Sequence, residues 1–500
     1  MKMRRSFFGL TVSLAIVLGL SLSAYAGEAL RVGITSTIDN LDPAKMKAGD
    51  AYVYAFRVFN GLVYINWDMT VKPDLAERWE ISDDFKTWTF YLRKGVKFHH
   101  GRELDAEDVE VTVKRILDKA TGCKLRANFQ IIEKIEVVDK YTIRFKLNIP
   151  YAGFAELFGG RQAMIVPRDR IDTLATKPIG TGPFKFKSSM PGDRMELVKN
   201  QDYFVEGAPL LDGVTLIIIP EPAARVTALE SGEIDLLWRV PEEGIEHLKK
   251  NPDIVVDEVP TPGWVGVVMH NKIPPFDKVK VRQAINLAID RDQMVELAVF
   301  GHGAPTHSPI PPSHPFFNKS LSLKPDLAKA KKLLAEAGYP NGFEVTMFVA
   351  HDRPNEERTG ITTREMLKPL GIKVNIQRAP WDKFLSDIEG KEAFYTDAFS
   401  ARPTIDTSLY PWYHSSGSWN KSLWHYSNPE VDRLLDLARQ TKSFEERQKI
   451  YREFQNVVFQ DPPSLMAFVH NHTNAWRKWV KGPHAHPMMW IDLRGCMMSK

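Results

Sequence analysis

Cysteine is nearly missing: Cys123 and Cys496 are the only two in 500 residues. That excludes a disulfide-built scaffold. Nothing in the sequence brings the two together, so a pair and two buried thiols both stay open. Charge of one sign is also scarce, with 66 Lys and Arg against 62 Asp and Glu. The formal balance of +4 falls to +1 once Lys2, Arg4 and Arg5 are set aside. Nucleic acid is therefore not expected as a partner. Beyond residue 26 no apolar run approaches the length of a membrane span, so the mature chain is expected to be soluble. The motifs G-x-S-x-G, H-E-x-x-H, G-x-x-x-x-G-K-[ST] and C-x-x-C are absent, as are repeats and low-complexity tracts. These absences argue against an enzyme, although a Ser/His/Asp group assembled only in space leaves no local motif.

What is present begins with a leader. Lys2, Arg4 and Arg5 precede an apolar run from Phe7 to Leu22, and Ala24-Tyr25-Ala26 has the form of a cleavage site. Residues 1–26 read as a secretory signal peptide, with a retained anchor as the alternative. The roughly 470 residues that follow are too many for one ordinary core, so two or three domains are expected.

Periodicity then gives an α/β chain. Leu30–Thr35, Thr87–Arg93, Val214–Ile219, Ile234–Trp238, Val265–His270, Phe343–Ala350, Lys373–Gln377 and Phe394–Phe399 read as strands. Ile131–Val138 and Tyr141–Leu147 form a hairpin across Asp139-Lys140. Helices are expected over Asp50–Tyr64, Asp105–Leu117, Ala152–Phe158, Glu221–Ser231, Lys278–Val299, Asp326–Ala337, Asn355–Leu370, Trp381–Ile388, Asn428–Ala438 and Phe444–Phe459. Asp50 and Asp105 stand at capping positions, and Asp105, Glu107 and Asp108 complement a helix dipole rather than form a catalytic cluster. The strand–helix–strand order on both sides of the middle points to βαβ units.

One stretch is unusual. Phe399–Tyr426 carries seven aromatic residues (Phe399, Tyr410, Trp412, Tyr413, Trp419, Trp424, Tyr426) in a chain that is 11% aromatic. Pro403, Pro411 and the Ser415–Ser418 cluster make it read as mostly irregular. It is either a binding loop or a loop that plugs the core. Tyr52, early in its helix, is similarly a pocket or a core residue. Arg161, after Gly159-Gly160, can donate to an anion or be structural. Histidines at 302, 307 and 314 lack an acidic or Cys companion, and His470/His472 and His484/His486 are bare i,i+2 pairs, so no metal is expected.

Four blocks resemble the family 5 extracellular solute-binding proteins, the peptide/nickel-type receptors of ABC importers. They are Ala76–Asp83 with Trp88–His99 and Asp105–Val109; Gly180–Phe184 with Asn200–Phe204; Asn271 with Pro275–Arg291; and Tyr426–Asp432 with Leu434, Leu435, Ala438 and Arg439. The resemblance implies a two-lobed periplasmic binding protein (flytrap) fold with an additional small domain, and no enzyme activity or cofactor. Lobe I would comprise residues 27–68, 179–258 and 477–500, the small domain 69–178, and lobe II 259–476. It implies a monomer in the periplasm that encloses a small molecule or peptide and delivers it to an inner-membrane ABC permease. Family pocket positions fall on Tyr52, Arg161, Trp264 and the Phe399 segment. Peptide-binding members supply an Asp there for the peptide ammonium, whereas this chain has Arg402, followed by Pro403. An anionic, carboxylate-bearing ligand or modified peptide is therefore expected, held by Arg402 and Arg161 and walled by Phe399, Trp412 and Trp419. A di- or oligopeptide receptor using Asp397 or Asp406 is the alternative, ahead of a metal-chelate or haem receptor. From another class, a secreted hydrolase or a periplasmic chaperone comes last.

Overall fold

The computed structural model describes residues 29–38, 40–46, 51–321, 324–402 and 404–499. The expected leader, the Asp50 cap and Pro403 lie outside the described residues. Two unusually long strands organise the molecule: Ile254–Met269 and Ser464–Arg477, paired antiparallel. They run through a single sheet of 11 strands from one half of the protein into the other. On one side Leu30–Ile34 lies between Gly213–Ile218 and Leu236–Leu237, parallel to both. On the other, Glu344–Ala350 runs parallel to Lys373–Ala379 and to Phe394–Phe399, which in turn pairs with Ile254–Met269. Helices Pro222–Ser231 and Pro354–Leu367 supply the crossovers between parallel strands, as the alternation requires.

Sequence reading found only Val265–His270 of the first long strand, because Pro260, Pro262 and Gly263 look like breaks. The backbone does slip register there, between Pro260 and Trp264. Thr261 bridges the slip: its hydroxyl donates to the His470 carbonyl at 2.8 Å and accepts from the Gly263 N–H at 3.0 Å. The strand continues because its partner is still beside it. Gly266 is needed in the second half, where a Cβ would lie 2.2 Å from the Leu465 carbonyl oxygen. Gly266→Ala should therefore lower the denaturation midpoint by an amount equivalent to about 1–3 kcal/mol, read by urea titration.

A separate four-stranded antiparallel sheet, Ala76–Ile81, Thr87–Leu92, Thr142–Leu147 and Ile132–Asp139, carries its own core. Trp88, Phe90, Phe145, Phe154 and Phe158 pack there under helix Ala106–Leu117. Asp105 caps that helix in a reciprocal box with Asp108. Asp108 also binds Arg102 at 2.6 and 3.0 Å, so these carboxylates are structural.

Three helices differ from expectation. The first spans only Ala51–Val58, because the Gly180-Thr181-Gly182 turn backs onto its end. A Cβ on Gly180 would sit 2.0 Å from the Val58 carbonyl oxygen, and the Gly182 N–H donates to that oxygen. The expected Lys278–Val299 helix is two, Val279–Ala288 and Arg291–Val299, since Asp290 caps the second and Ile289 is extended. Ala152–Phe158 is a 3₁₀ turn over Phe154–Gly159. No helix among the described residues is long and apolar enough to cross a membrane.

Candidate ligand-binding cleft

The Phe399 stretch is more ordered than its prolines suggest. Strand Phe394–Phe399 is followed by helix Ile405–Tyr413 and a π-helical turn, Asn420–Trp424. Thr404 starts the first helix: its hydroxyl accepts from the Thr407 N–H, and Thr407 reciprocates, both at 3.1 Å. Pro411 sits inside that helix, where burial of Ile405, Leu409, Trp412 and Tyr413 outweighs the missing N–H. Ala401 and Arg402 are thereby held on a short link between strand and helix.

Trp264 lies opposite Phe399 in the strand register, with ring centroids 4.8 Å apart. Phe399 in turn meets Trp412 at 5.4 Å and Trp419 at 5.1 Å. These four rings pack on one another, and none of them borders the large cavity described next. The Arg402 guanidinium stands 5.5 Å from the Trp412 ring centroid, within cation–π range. From the other half, the Arg161 guanidinium lies 4.1 Å over the Tyr52 ring. Arg402 feels both: burial lowers its pKa first, Tyr52 opposes this, and Arg161 lowers it further. The structure thus brings Tyr52, Arg161 and Arg402 together from distant parts of the chain.

A cavity of about 890 Å³ opens between the small antiparallel unit and the segments after residue 401. Trp88, Tyr151 and Glu156 line one wall, Arg402, Asp406 and Arg447 the other, and Pro260 and Pro262 of the crossing strand are also in its lining. Its size is that of a small-molecule site, and it lies where two halves meet. Arg402 forms no ion pair with any described acidic residue. In a partly dry cleft such a guanidinium is a strong attractor for a carboxylate.

The two walls are fastened to each other. Asp406 takes a two-point bond from Arg439, at 2.8 and 3.0 Å, and a third bond from the Tyr151 hydroxyl at 2.8 Å. The Ala152 N–H donates to the Arg439 carbonyl at 2.7 Å. Burial works against the Arg439 charge, but Asp406 raises its pKa above the ordinary value. Asp397 is different: it is buried in its strand, and burial followed by Glu389 pushes its pKa well up. It does not border the cavity. Tyr151, Glu156, Arg439 and Arg447 were not identified as site residues from the sequence. Arg439 stood in a family block, but nothing local signalled its partner.

No group of three or more His, Cys, Asp or Glu among the described residues is placed to hold a metal. His302 meets Glu258 and His307 meets Gln455, each at 3.1 Å. His470 and His472 sit in the second crossing strand, the first pushed down to about 4 by burial and then by Arg239, the second also pushed well below the ordinary imidazole value by burial and then by Arg239. His99 and His307 are also near 4, and His486 near 3, chiefly through burial. Such bases stay neutral when folded, while the unfolded chain takes up protons below about 6.5. Stability should therefore be lost as pH falls from about 6.5 toward 4. Carboxyls that burial raises work in the opposite sense, Asp74 to about 6, Glu156 to about 7, and Glu356, Glu389 and Asp397 upward, but these five are outnumbered by the eight lowered histidines, which include His270, His314 and His425. Urea midpoints at pH 7 and pH 5 test this, and an equal or higher midpoint at pH 5 would refute it.

Comparison with known proteins agrees with this geometry. The sequence matches the description "Bacterial extracellular solute-binding proteins, family 5 Middle" over residues 70–420. A relative, the glutathione-binding protein GsiB of Pectobacterium atrosepticum, is 28% identical over 477 residues, covering 93% of each chain. The ABC transporter-associated periplasmic binding protein DppA from Helicobacter pylori, solved with the peptide STSA, superposes with a TM-score of 0.81. It is 29% identical, with 95% of this chain and 98% of that one covered. The binding protein AgaA of A. tumefaciens R10, solved with agropinic acid, gives 0.81 at 28% identity, covering 95% and 99%. The chain belongs to the bacterial extracellular solute-binding proteins of family 5, the substrate-binding components of ABC importers.

Proposed function

We propose that this protein captures a small anionic ligand, carrying a carboxylate, between its two halves and presents it to an ABC permease of the inner membrane. The observation that carries the reading is Arg402, a half-buried guanidinium on the wall of the cavity without a described acidic partner. Arg161 beside it adds positive potential to the same corner. Agropinic acid and glutathione, bound by proteins similar to this one, both bear carboxylates. The periplasm is the compartment of such receptors, and the basic, apolar start of the chain supports export to it. The resemblance to such receptors supports a monomer that performs no chemistry on its ligand. The proposed division into lobe I (27–68, 179–258, 477–500), small domain (69–178) and lobe II (259–476) follows the separate cores in outline only, since Met164, Val166 and Leu174 pack with lobe I and Ala44, Leu62 and Val63 with the small domain. Closure then acts by shifting the open and closed populations.

A plain peptide held by its ammonium is the second reading. Asp406 is engaged by Arg439 and Tyr151, and Asp397 is away from the cavity, so that reading needs another carboxylate. The test is native purification from periplasm and mass spectrometry of what is released on unfolding. Recovery of a compound without a carboxylate or other anionic group would end the anion reading.

A further inference from the structure

Most acidic groups around the cavity are spoken for. Asp406 is tied to Arg439 and Tyr151, and Asp68 accepts from Thr70 and Asn66 at the exposed rim. Glu156 is the exception. It lines the same cavity and forms no ion pair with any described cation. Its position is fixed: Oε2 would stand 3.1 Å from a Cβ on Gly153, so the side chain folds back over that glycine beside Tyr151. The carboxyl leans on the Thr404 side chain of the opposite wall. Thr404 is two residues from Arg402, at most about 7 Å along the chain. A carboxyl and a guanidinium, each without an ion-pair partner among the described residues, thus line one cavity of about 890 Å³.

We propose that Glu156 is a second ligand anchor, for an ammonium or guanidinium group, so that the ligand is a zwitterion spanning Glu156 and Arg402. This rests on the assignment of Arg402 as the anion anchor. It also reverses the arrangement in which lobe II supplies the ammonium partner: the negative group comes from the small unit and the positive one from the segment after Phe399. The surroundings suit the task. Burial, and then Asp406, push the Glu156 pKa up to about 7 against the pull of Arg447. Tyr151 and Tyr451 are the other ionisable groups in its field. An arriving cation would remove the proton and gain a fully charged partner in a low-dielectric cleft. The competing view is that Glu156 simply pairs with Arg447 when the walls tighten, because the Arg447 Nε has no hydrogen-bond partner.

Three matched pools of di- and tripeptides, including γ-glutamyl-linked members, separate these views: free at both ends, N-acetylated, and C-amidated. Thermal shift and calorimetry on the whole mature protein should show binding of the free pool only. Glu156→Gln should cost free-ended binders at least tenfold in affinity, and Arg447→Gln should leave the preference for a free ammonium intact. Affinity for them should also rise with pH through about 7, with proton release visible in buffers of different ionisation enthalpy. Equal binding of the acetylated pool overturns the Glu156 anchor while leaving Arg402 standing. Equal binding of the amidated pool overturns the Arg402 reading instead. A uniform loss for every pool in Glu156→Gln identifies the structural pair with Arg447, and no response to any pool rules out the peptide-like zwitterion.

Discussion

Arg402→Asp is expected to abolish ligand binding, and Arg402→Gln to weaken it by about thirtyfold to several thousandfold. The range corresponds to about 2–5 kcal/mol for truncating one partner of a desolvated charge pair. Aspartate does worse than glutamine because it sets a like charge against the ligand's carboxylate, beyond removing the attraction. The folded protein should tolerate either change. Arg402 is half-buried, burial lowers its pKa, and it contributes no ion pair among the described residues, so its removal relieves rather than creates an unpaired charge. Calorimetry with the compound recovered from the native protein measures the affinity, and circular dichroism confirms the fold. Unchanged affinity in Arg402→Asp would remove Arg402 from the site.

The second large effect concerns closure and stability together. Asp406→Ala should lower stability by about 3–5 kcal/mol, because it leaves the mostly buried Arg439 guanidinium without its two-point partner. Only 15% of the Arg439 side chain is exposed, so water cannot readily take the place of the carboxylate. The same change cuts the bond from Tyr151, one of the direct links between the cavity walls. Tyr151→Phe isolates that component: it should cost about 1 kcal/mol and shift the population toward an open form, with the Arg439 pair intact. Small-angle scattering should show a larger radius of gyration in the absence of ligand for both variants, and urea titration should separate them. If Tyr151→Phe leaves both the scattering profile and ligand affinity untouched, the bond is not a latch.

The local elements were largely legible because they depend on local patterns. Alternation in Thr87–Leu92, the apolar face after Asp105 and the strand–helix–strand order around Pro222–Ser231 each carry their own signal. Local signals misled where tertiary packing outweighed them. Pro403 and Pro411 suggested an irregular stretch, yet burial of Trp412 and Tyr413 stabilises a helix there. A continuous apolar face suggested one helix over Lys278–Val299, but Asp290 captures the Gln293 N–H and the backbone turns.

Sequence by itself therefore determined the α/β class and the resemblance to family 5, and it raised the expectation that Arg402 stands where peptide-binding members carry an Asp. Those rest on residue order, which the chain carries without folding. Only the tertiary structure shows that Trp264, Phe399, Trp412 and Trp419 pack on one another outside the lining of the cavity at Arg402, and that Asp406 is bound by Arg439 and Tyr151. It alone brought Tyr52, Arg161 and Arg402 into one electrostatic neighbourhood, and Glu156 onto the wall facing Arg402. The physical reason is distance along the chain. Tyr52, Arg161 and Arg402, like Tyr151 and Asp406, lie more than a hundred residues apart and leave no spacing to read; they meet only because two long strands carry the chain from one half to the other.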